Sequence, residues 1–187
     1  MTRIIAGRVG GRRLVVPPRG TRPTSDRVRE ALFSALVADP GLDGAAVLDL
    51  CAGSGALGLE ALSRGAACAL FVESDRRAAA VLGRNIAELG LAGAAVRVAP
   101  AAVVLVGPAD RAYDVVLVDP PYDVSDAEVA GWLAAAAAHG WLAAEVIVVV
   151  ERAARTGEFS WPTPLRAVRD RRYGDTVLHS GHIGHGG

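Results

Sequence analysis

Residues 46–58 read AVLDLCAGSGALG, a short apolar run broken by one acid, Asp49, that passes into glycines at 53, 55 and 58 and then into a helical pattern. A strand that ends in G-x-G-x-x-G and opens a helix brings backbone N–H groups close to a ligand at the helix N-terminus. Glu73 closes the next apolar run, twenty residues after Gly53. In that position a carboxylate can take both hydroxyls of a ribose. Loop and acid together predict a site for an adenosine-containing cofactor, with Ala52, Gly53, Gly55, Glu73 and Ser74 as contacts.

Outward from this unit the pattern repeats. Strand candidates are 46–51, 67–72, 95–99, 114–118 and 145–150, all short and continuously apolar, as strands covered on both faces are. Helix candidates fall between them at 56–64, at 75–90 with Gly90 as C-cap, and at 126–139. Segments 165–172 and 175–183 flank Tyr173-Gly174-Asp175, a hairpin signal. The fold class is α/β: a Rossmann-like, doubly wound, mostly parallel seven-stranded sheet that closes with an antiparallel C-terminal hairpin.

The first residues are organised differently. Ile4-Ile5-Ala6-Gly7 and Leu14-Val15-Val16 flank Gly10-Gly11, a β-hairpin pattern with arginines along it, and Pro17-Pro18 ends it. A helix over about 26–38 follows, with Thr24 or Ser25 as N-cap and Asp26 in its first turn. The expected organisation is therefore an N-terminal basic arm, 1–22, and one catalytic domain, 23–187. A chain of 187 residues is long enough for one domain with a substantial core.

Charge follows the same division. Residues 1–30 hold eight arginines against two acids (+6), residues 31–151 six against fifteen (−9) and residues 152–187 six against three (+3), so the whole is neutral. A coding bias toward arginine explains the missing lysine, but not the clustering. A basic arm on an acidic body points to a polyanionic partner, the bland alternative being a solvated basic tail. No run of about 18 apolar residues free of charge occurs, so no bilayer span is expected. The N-terminus lacks a signal pattern, and a cytoplasmic location is expected. Cys51 and Cys68 sit in apolar segments and read as small buried thiols.

Asp49 narrows the cofactor. An acid four positions before Gly53 suits the ammonium of an amino-acid moiety and repels pyrophosphate, which favours S-adenosylmethionine over a dinucleotide. A second motif, VLVDPPYD at 116–123, ends the strand that should neighbour the first one at the point where strand order reverses. Its prolines fix φ near −65° and hold Asp119 and Pro120 extended, and neither offers an N–H. Acceptors without donors suit an exocyclic amine. Gripping its hydrogens favours pyramidalisation, which frees the lone pair for in-line attack on a sulfonium methyl. Asp119, Pro120, Pro121 and Tyr122 are the catalytic candidates, Asp119 also reaching the cofactor, and Tyr122 supplies a face on which a base could stack. A base in a duplex must first be flipped out.

DLCAGSGALG, VESD at 72–75 and DPPY resemble the class I S-adenosylmethionine-dependent methyltransferases that act on amino nitrogens. RIIAGRVGGRRL (3–14), RPTSDRVREALFSAL (22–36) and YGDTVL (173–178) resemble more specifically the bacterial RsmD family, which methylates N2 of a guanine in 16S ribosomal RNA. The resemblance implies cofactor contacts at Asp49, Gly53, Gly55 and Glu73, and Asp119 and Tyr122 at the reacting amine. It implies ribosomal RNA as partner, within the small subunit or an assembly intermediate, and no protein partner. The arginines of the arm and its exit, Arg3, Arg8, Arg12, Arg13, Arg19, Arg22 and Arg27, with Thr24, become the RNA-binding candidates. One departure is Pro100-Ala101-Ala102 after the third strand, where such enzymes often place an Asp or Asn on the adenine amine; adenine would rely here on backbone and apolar contacts.

Two other readings compete. An adenine-N6 DNA methyltransferase shares DPPY, although no segment reads as a separate DNA-binding domain; a nicotinamide-dependent oxidoreductase shares the glycine loop but leaves DPPY and the arm unexplained. His179, His182 and His185 recur every third residue without a completing cluster, so no metal site is expected. Trp132, Trp141 and Trp161 read as packing residues.

Overall fold

Seven of the chain's strands pair into one sheet in a computed structural model that describes residues 1–18 and 24–184. In chain order the elements are β1 (Thr2–Arg3), β2 (Arg13–Leu14), α1 (Asp26–Ala38), β3 (Ala46–Leu50), α2 (Ala56–Ser63), β4 (Cys68–Glu73) and α3 (Arg76–Leu89). Then come β5 (Ala94–Val98), α4 (Ala101–Leu105), β6 (Tyr113–Val118), α5 (Asp126–Ala138), β7 (Leu142–Ala153), a single 3-10 turn, β8 (Leu165–Tyr173) and β9 (Thr176–Ile183). The sheet order is β5-β4-β3-β6-β7-β9-β8. Strands β3 to β7 pair in parallel, and β9 is antiparallel to both of its neighbours. This is the doubly wound sheet that the alternating pattern predicts, with its order reversing between β3 and β6. The short helix α4 has no counterpart among the predicted helices, because five residues are too few to display a 3.6-residue period.

Period-2 alternation assigns each strand residue to a layer. Val47, Val115, Leu117 and Val149 pack with α1, α2 and α3 on one face. Leu48, Leu50, Val116, Val118 and Val150 pack with α4 and α5 on the other. Each of these side chains is at most 4% exposed, and each such burial contributes about 1.5–3 kcal/mol. The alternation puts Asp49, Asp119 and Glu151 on the α1–α3 face. Register then sets Asp119 level with Glu151, since Val118 pairs with Val150, and Asp49 one step back on that face, paired with Leu117.

Local chemistry sets the helix starts. Ser25 caps α1, its hydroxyl accepting from the Val28 N–H, and Asp75 caps α3 by accepting from Arg77 and Ala78. Ser125 and Glu128 form a reciprocal capping box on α5. These caps fix where the chain leaves the C-terminal edge of the sheet, which is where the crevice lies.

The N-terminal hairpin is docked on this framework. Only two residues on each side pair as strands, Thr2 with Leu14 and Arg3 with Arg13. Ile4 and Leu14 enter the core cluster under α1 and α2. The buried Glu60 of α2 accepts the Ile5 and Ala6 N–H groups at 2.8 and 3.1 Å, and Ser63 accepts from Val9 while donating to Ala6. Arg29 and Arg64 flank Glu60, so its buried charge is paired as well as hydrogen-bonded. Gly7 is forced by proximity: a Cβ there would lie 2.1 Å from the Ser63 carbonyl oxygen.

Candidate active site

The turn after β3 takes three residues to positive φ, Cys51 at +61° and two glycines with no side chain to clash. Gly53 sits at φ +56° with open space where a Cβ would point, and Gly55 at φ +85° caps α2, where a Cβ would strike Leu82 at 2.3 Å. Gly58 lets α2 close on β4, since a Cβ would lie 2.4 Å from the Phe71 ring. That close approach also lets the Gly58 N–H reach Asp49 Oδ2 at 2.9 Å. Glu73 completes the loop, accepting from the Gly53 N–H at 2.7 Å and the Asp75 N–H at 2.9 Å. A carboxylate has about four acceptor sites, so both oxygens can still receive a hydroxyl.

Above this loop opens a cavity of about 400 Å³. Asp49, Ala52, Gly53, Glu73, Ser74 and Asp119 all line it, and Gly55 sits just behind at the helix cap. Four carboxylates face it, those of Asp49, Glu73, Asp75 and Asp119, and no arginine among the described residues does. Asp49 Oδ1 is buried without a hydrogen-bond partner. Burial, with repulsion from Glu73, pushes this carboxyl up to about 7 despite the Gly58 hydrogen bond. An orphaned acid in an acidic cavity fits a cation: the ammonium and sulfonium of S-adenosylmethionine match it, and a pyrophosphate does not. The far end is apolar, formed by Ala99, Pro100, Ala101, Pro121, Val124 and Trp132. Trp132 is thus a cavity wall rather than only a packing residue, while Trp141 is fully buried and Trp161 packs against Phe159. Cys51 also borders the cavity, and burial with three nearby carboxylates pushes its thiol up to about 12, so it stays protonated.

The Asp119-Pro120-Pro121-Tyr122 turn is held from behind. Arg152 binds Asp126 Oδ1 at 2.6 Å and the Val124 carbonyl at 2.7 Å, and the Val124 N–H donates to the Pro121 carbonyl. In front of it stands Thr24, the residue before the α1 cap. Thr24 Oγ1 lies 3.0 Å from Asp119 Oδ2 and 2.6 Å from Glu151 Oε2. A hydroxyl has one proton, so both contacts are hydrogen bonds only if one carboxyl is protonated and donates to Thr24. Burial, with repulsion from Glu151, holds Asp119 well above the usual carboxylate range, and burial raises Glu151 too. The two carboxyls are thus bridged by one hydroxyl, and they share a proton through it.

On the other side of Thr24 lies a cavity of about 890 Å³, bordered by Tyr122, Glu151, Arg155 and the β8–β9 turn from Arg172 to Thr176. Tyr122 is 62% exposed there, with the Arg155 guanidinium 5.9 Å above its ring. Pro120, Tyr122, Asp119 and Glu151 share a smaller recess between the two cavities. Thr24, buried at 8% exposure, belongs to both large cavities.

The remaining sequence candidates lie on the surface. Arg3, Arg8, Arg12, Arg13 and Arg27 are exposed. Arg3 bonds to Asp26, Arg8 to the Leu62 carbonyl and Arg12 to the Glu88 carbonyl. Arg19 and Arg22 lie outside the described residues, as does His185. Three features have no sequence forecast: Glu151, Arg155, and the exposed row Arg166, Arg169, Arg171 and Arg172 along the edge strand β8. Alternation on β7 and the charge of residues 166–172 were the available signals for them.

The fold and this site define a class I methyltransferase whose cofactor is S-adenosylmethionine. The family described as Conserved hypothetical protein 95 matches residues 2–181. "Ribosomal RNA small subunit methyltransferase D" of Escherichia coli (strain K12) is 42% identical over 156 residues, covering 83% of this chain and 76% of the relative. The protein of the same name from Haemophilus influenzae is 38% identical over 153 residues, covering 80% and 77%. A solved Escherichia coli structure, 34% identical, superposes with a TM-score of 0.87 over 98% of this chain and 99% of the other. The solved structure of a hypothetical protein from Thermus thermophilus, 31% identical, gives 0.82 over 98% and 100%. The chain belongs to this family, that of the small-subunit ribosomal RNA methyltransferases D.

Proposed function

We propose that this chain transfers a methyl group from S-adenosylmethionine to the exocyclic N2 amine of a guanine in 16S ribosomal RNA, within the small subunit or an assembly intermediate. The observation that carries the reading is the junction at Thr24, beside Asp119. There a cation-accepting cavity on the glycine loop meets a second cavity large enough for a flipped base, and relatives named for small-subunit RNA methylation cover most of the chain.

When bound, S-adenosylmethionine supplies an electrophilic methyl on its sulfonium. Asp49 would hold the ammonium, Glu73 the ribose hydroxyls, and Trp132 with Pro100 the adenine. The base stacks on Tyr122 and presents its amine to Asp119 and the Pro120 carbonyl, which accept the two N–H bonds and aim the nitrogen lone pair. Asp119 accepts the proton shed after transfer, once the positive charge beside it has favoured its ionised form. The arginines of the hairpin, Arg27, and those of the edge strand β8 are exposed and suit phosphates, and Arg19 and Arg22 belong to the same basic segment by sequence. In this reading the 1–22 segment is the basic arm of a 23–187 methyltransferase domain.

The test is incubation with labelled S-adenosylmethionine and, separately, ribosomal RNA, small subunits and DNA, followed by mass spectrometry of the nucleosides. N2-methylguanosine in small-subunit RNA is the expected product; N6-methyladenine in DNA would overturn the proposal.

A further inference from the structure

Asp119-Pro-Pro-Tyr grips an amine but does not choose between guanine and adenine, since each offers two amine hydrogens. The atom beside the amine distinguishes them. On guanine the neighbouring ring position is N1–H, a donor; on adenine it is N1, an acceptor. Whatever faces that position decides which base is accepted.

The described structure puts Glu151 there. It stands near the C-terminal end of β7, one residue past the pair of Val118 and Val150, so that it lies beside Asp119, the residue that follows β6. It borders the large cavity together with Tyr122, and shares the recess that joins Asp119 to Tyr122. A base stacked on Tyr122 with its amine at Asp119 therefore turns its next edge atom toward Glu151. The 2.6 Å contact with Thr24 engages Oε2 and leaves Oε1 available as an acceptor. None of the chemistry assigned to Asp119, Pro120 and Tyr122 uses it.

We propose that Glu151 is the specificity residue of this site: its carboxylate accepts the N1–H of the target guanine, and it rejects adenine by setting its charge against the N1 lone pair. Thr24 is its positioning residue, because the hydroxyl that fixes Glu151 also fixes Asp119, keeping the two acceptors in register with the two adjacent donors. The proposal rests on the guanine-N2 reading above and says how that choice is made.

The test separates the two. With the accepting nucleotide mapped by mass spectrometry, the same RNA is made with 2-aminopurine at that position, which keeps the 2-amine but has no hydrogen on N1. Wild-type protein is expected to favour guanine over 2-aminopurine by at least ~100-fold in kcat/KM. In Glu151→Gln, whose amide can donate to N1, that ratio is expected to fall by about 10-fold or more while S-adenosylmethionine affinity stays within about 2-fold. A wild-type ratio near one overturns the proposal without recourse to any variant. So does an unchanged ratio in a Glu151→Gln protein that still binds cofactor. A wild-type product other than N2-methylguanosine sinks the parent reading instead.

Discussion

The two cavities that meet at Thr24 are assembled from the chain in different ways. Most of the polar lining of the cofactor cavity comes from one stretch, Asp49 to Asp75, which is a strand, a glycine turn, a helix and the next strand, with Thr24 and Asp119 added from elsewhere. The base cavity gathers Thr24, Tyr122, Glu151 and the turn at Gly174 from four distant parts of the sequence. One is a local motif whose spacing carries its geometry. The other exists only once β6, β7 and β9 have paired and α1 has packed across them.

The two should respond differently to substitution. Asp119 lines the cofactor cavity and contacts Thr24, which borders both; Asp119→Ala is expected to lower methyl transfer by about 10³-fold in single-turnover assays, the scale of a lost positioned acceptor and base. Survival of near-normal rates would break the junction apart.

Asp49→Asn is confined to the cofactor side. Loss of a charge-assisted contact is expected to weaken S-adenosylmethionine binding by about 100-fold in calorimetry. It should have the opposite effect on the ligand-free protein. Asp49 titrates near 7 when folded and about 4 when unfolded, so the unfolded state holds fewer protons across that interval. Wild-type stability therefore falls as pH rises from about 4 through 7. Asp49→Asn removes the Asp49 share of that fall and leaves the share of Asp119 and Glu151, so its Tm should exceed the wild-type value at pH 8 and match it below pH 4.

Arg169→Ala with Arg171→Ala tests the outer rim. RNA affinity should drop several-fold at 0.15 M salt and the slope of log K against log salt should lessen by about one per lost phosphate contact, with cofactor affinity unchanged. The same measurement on Arg8, Arg12 and Arg13 weighs the hairpin against β8, and an unchanged slope there would remove the hairpin from the RNA grip. The smallest effect expected is for Asn85→Ala, whose side chain bonds both to Val15 and to the Ser54 carbonyl. It should cost about 1–3 kcal/mol in denaturant unfolding and raise amide exchange at Val15 first.

This contrast explains what could be read in advance. The sheet, its reversal and the helices at 26–38, 76–89 and 126–138 follow from periodicity and caps, and the Asp49, Gly53 and Glu73 constellation from spacing alone. Glu151 was hidden because EVIVVVER reads as the end of a buried strand, and nothing local says that its neighbour is Asp119. Thr24 could be placed near a helix cap, but not between two carboxylates supplied by residues 119 and 151. The arginines of β8 were visible as charge; that they form the exposed edge of the sheet is a fact of pairing.

Asn85 has a further consequence, in time rather than space. It holds both hydrogen-bonding groups of Val15 and the carbonyl of Ser54, joining the exit of the hairpin to the glycine loop, while Val16 and Pro17 form part of the cofactor wall. The hairpin is made before its partners Glu60, Ser63, Asn85 and Glu88, which follow much later. During synthesis, Ile4 and Leu14 must wait undocked until α3 has emerged, and only their arrival closes the wall. The hairpin thus becomes native only after segments made later than itself, and cofactor binding reports that it has.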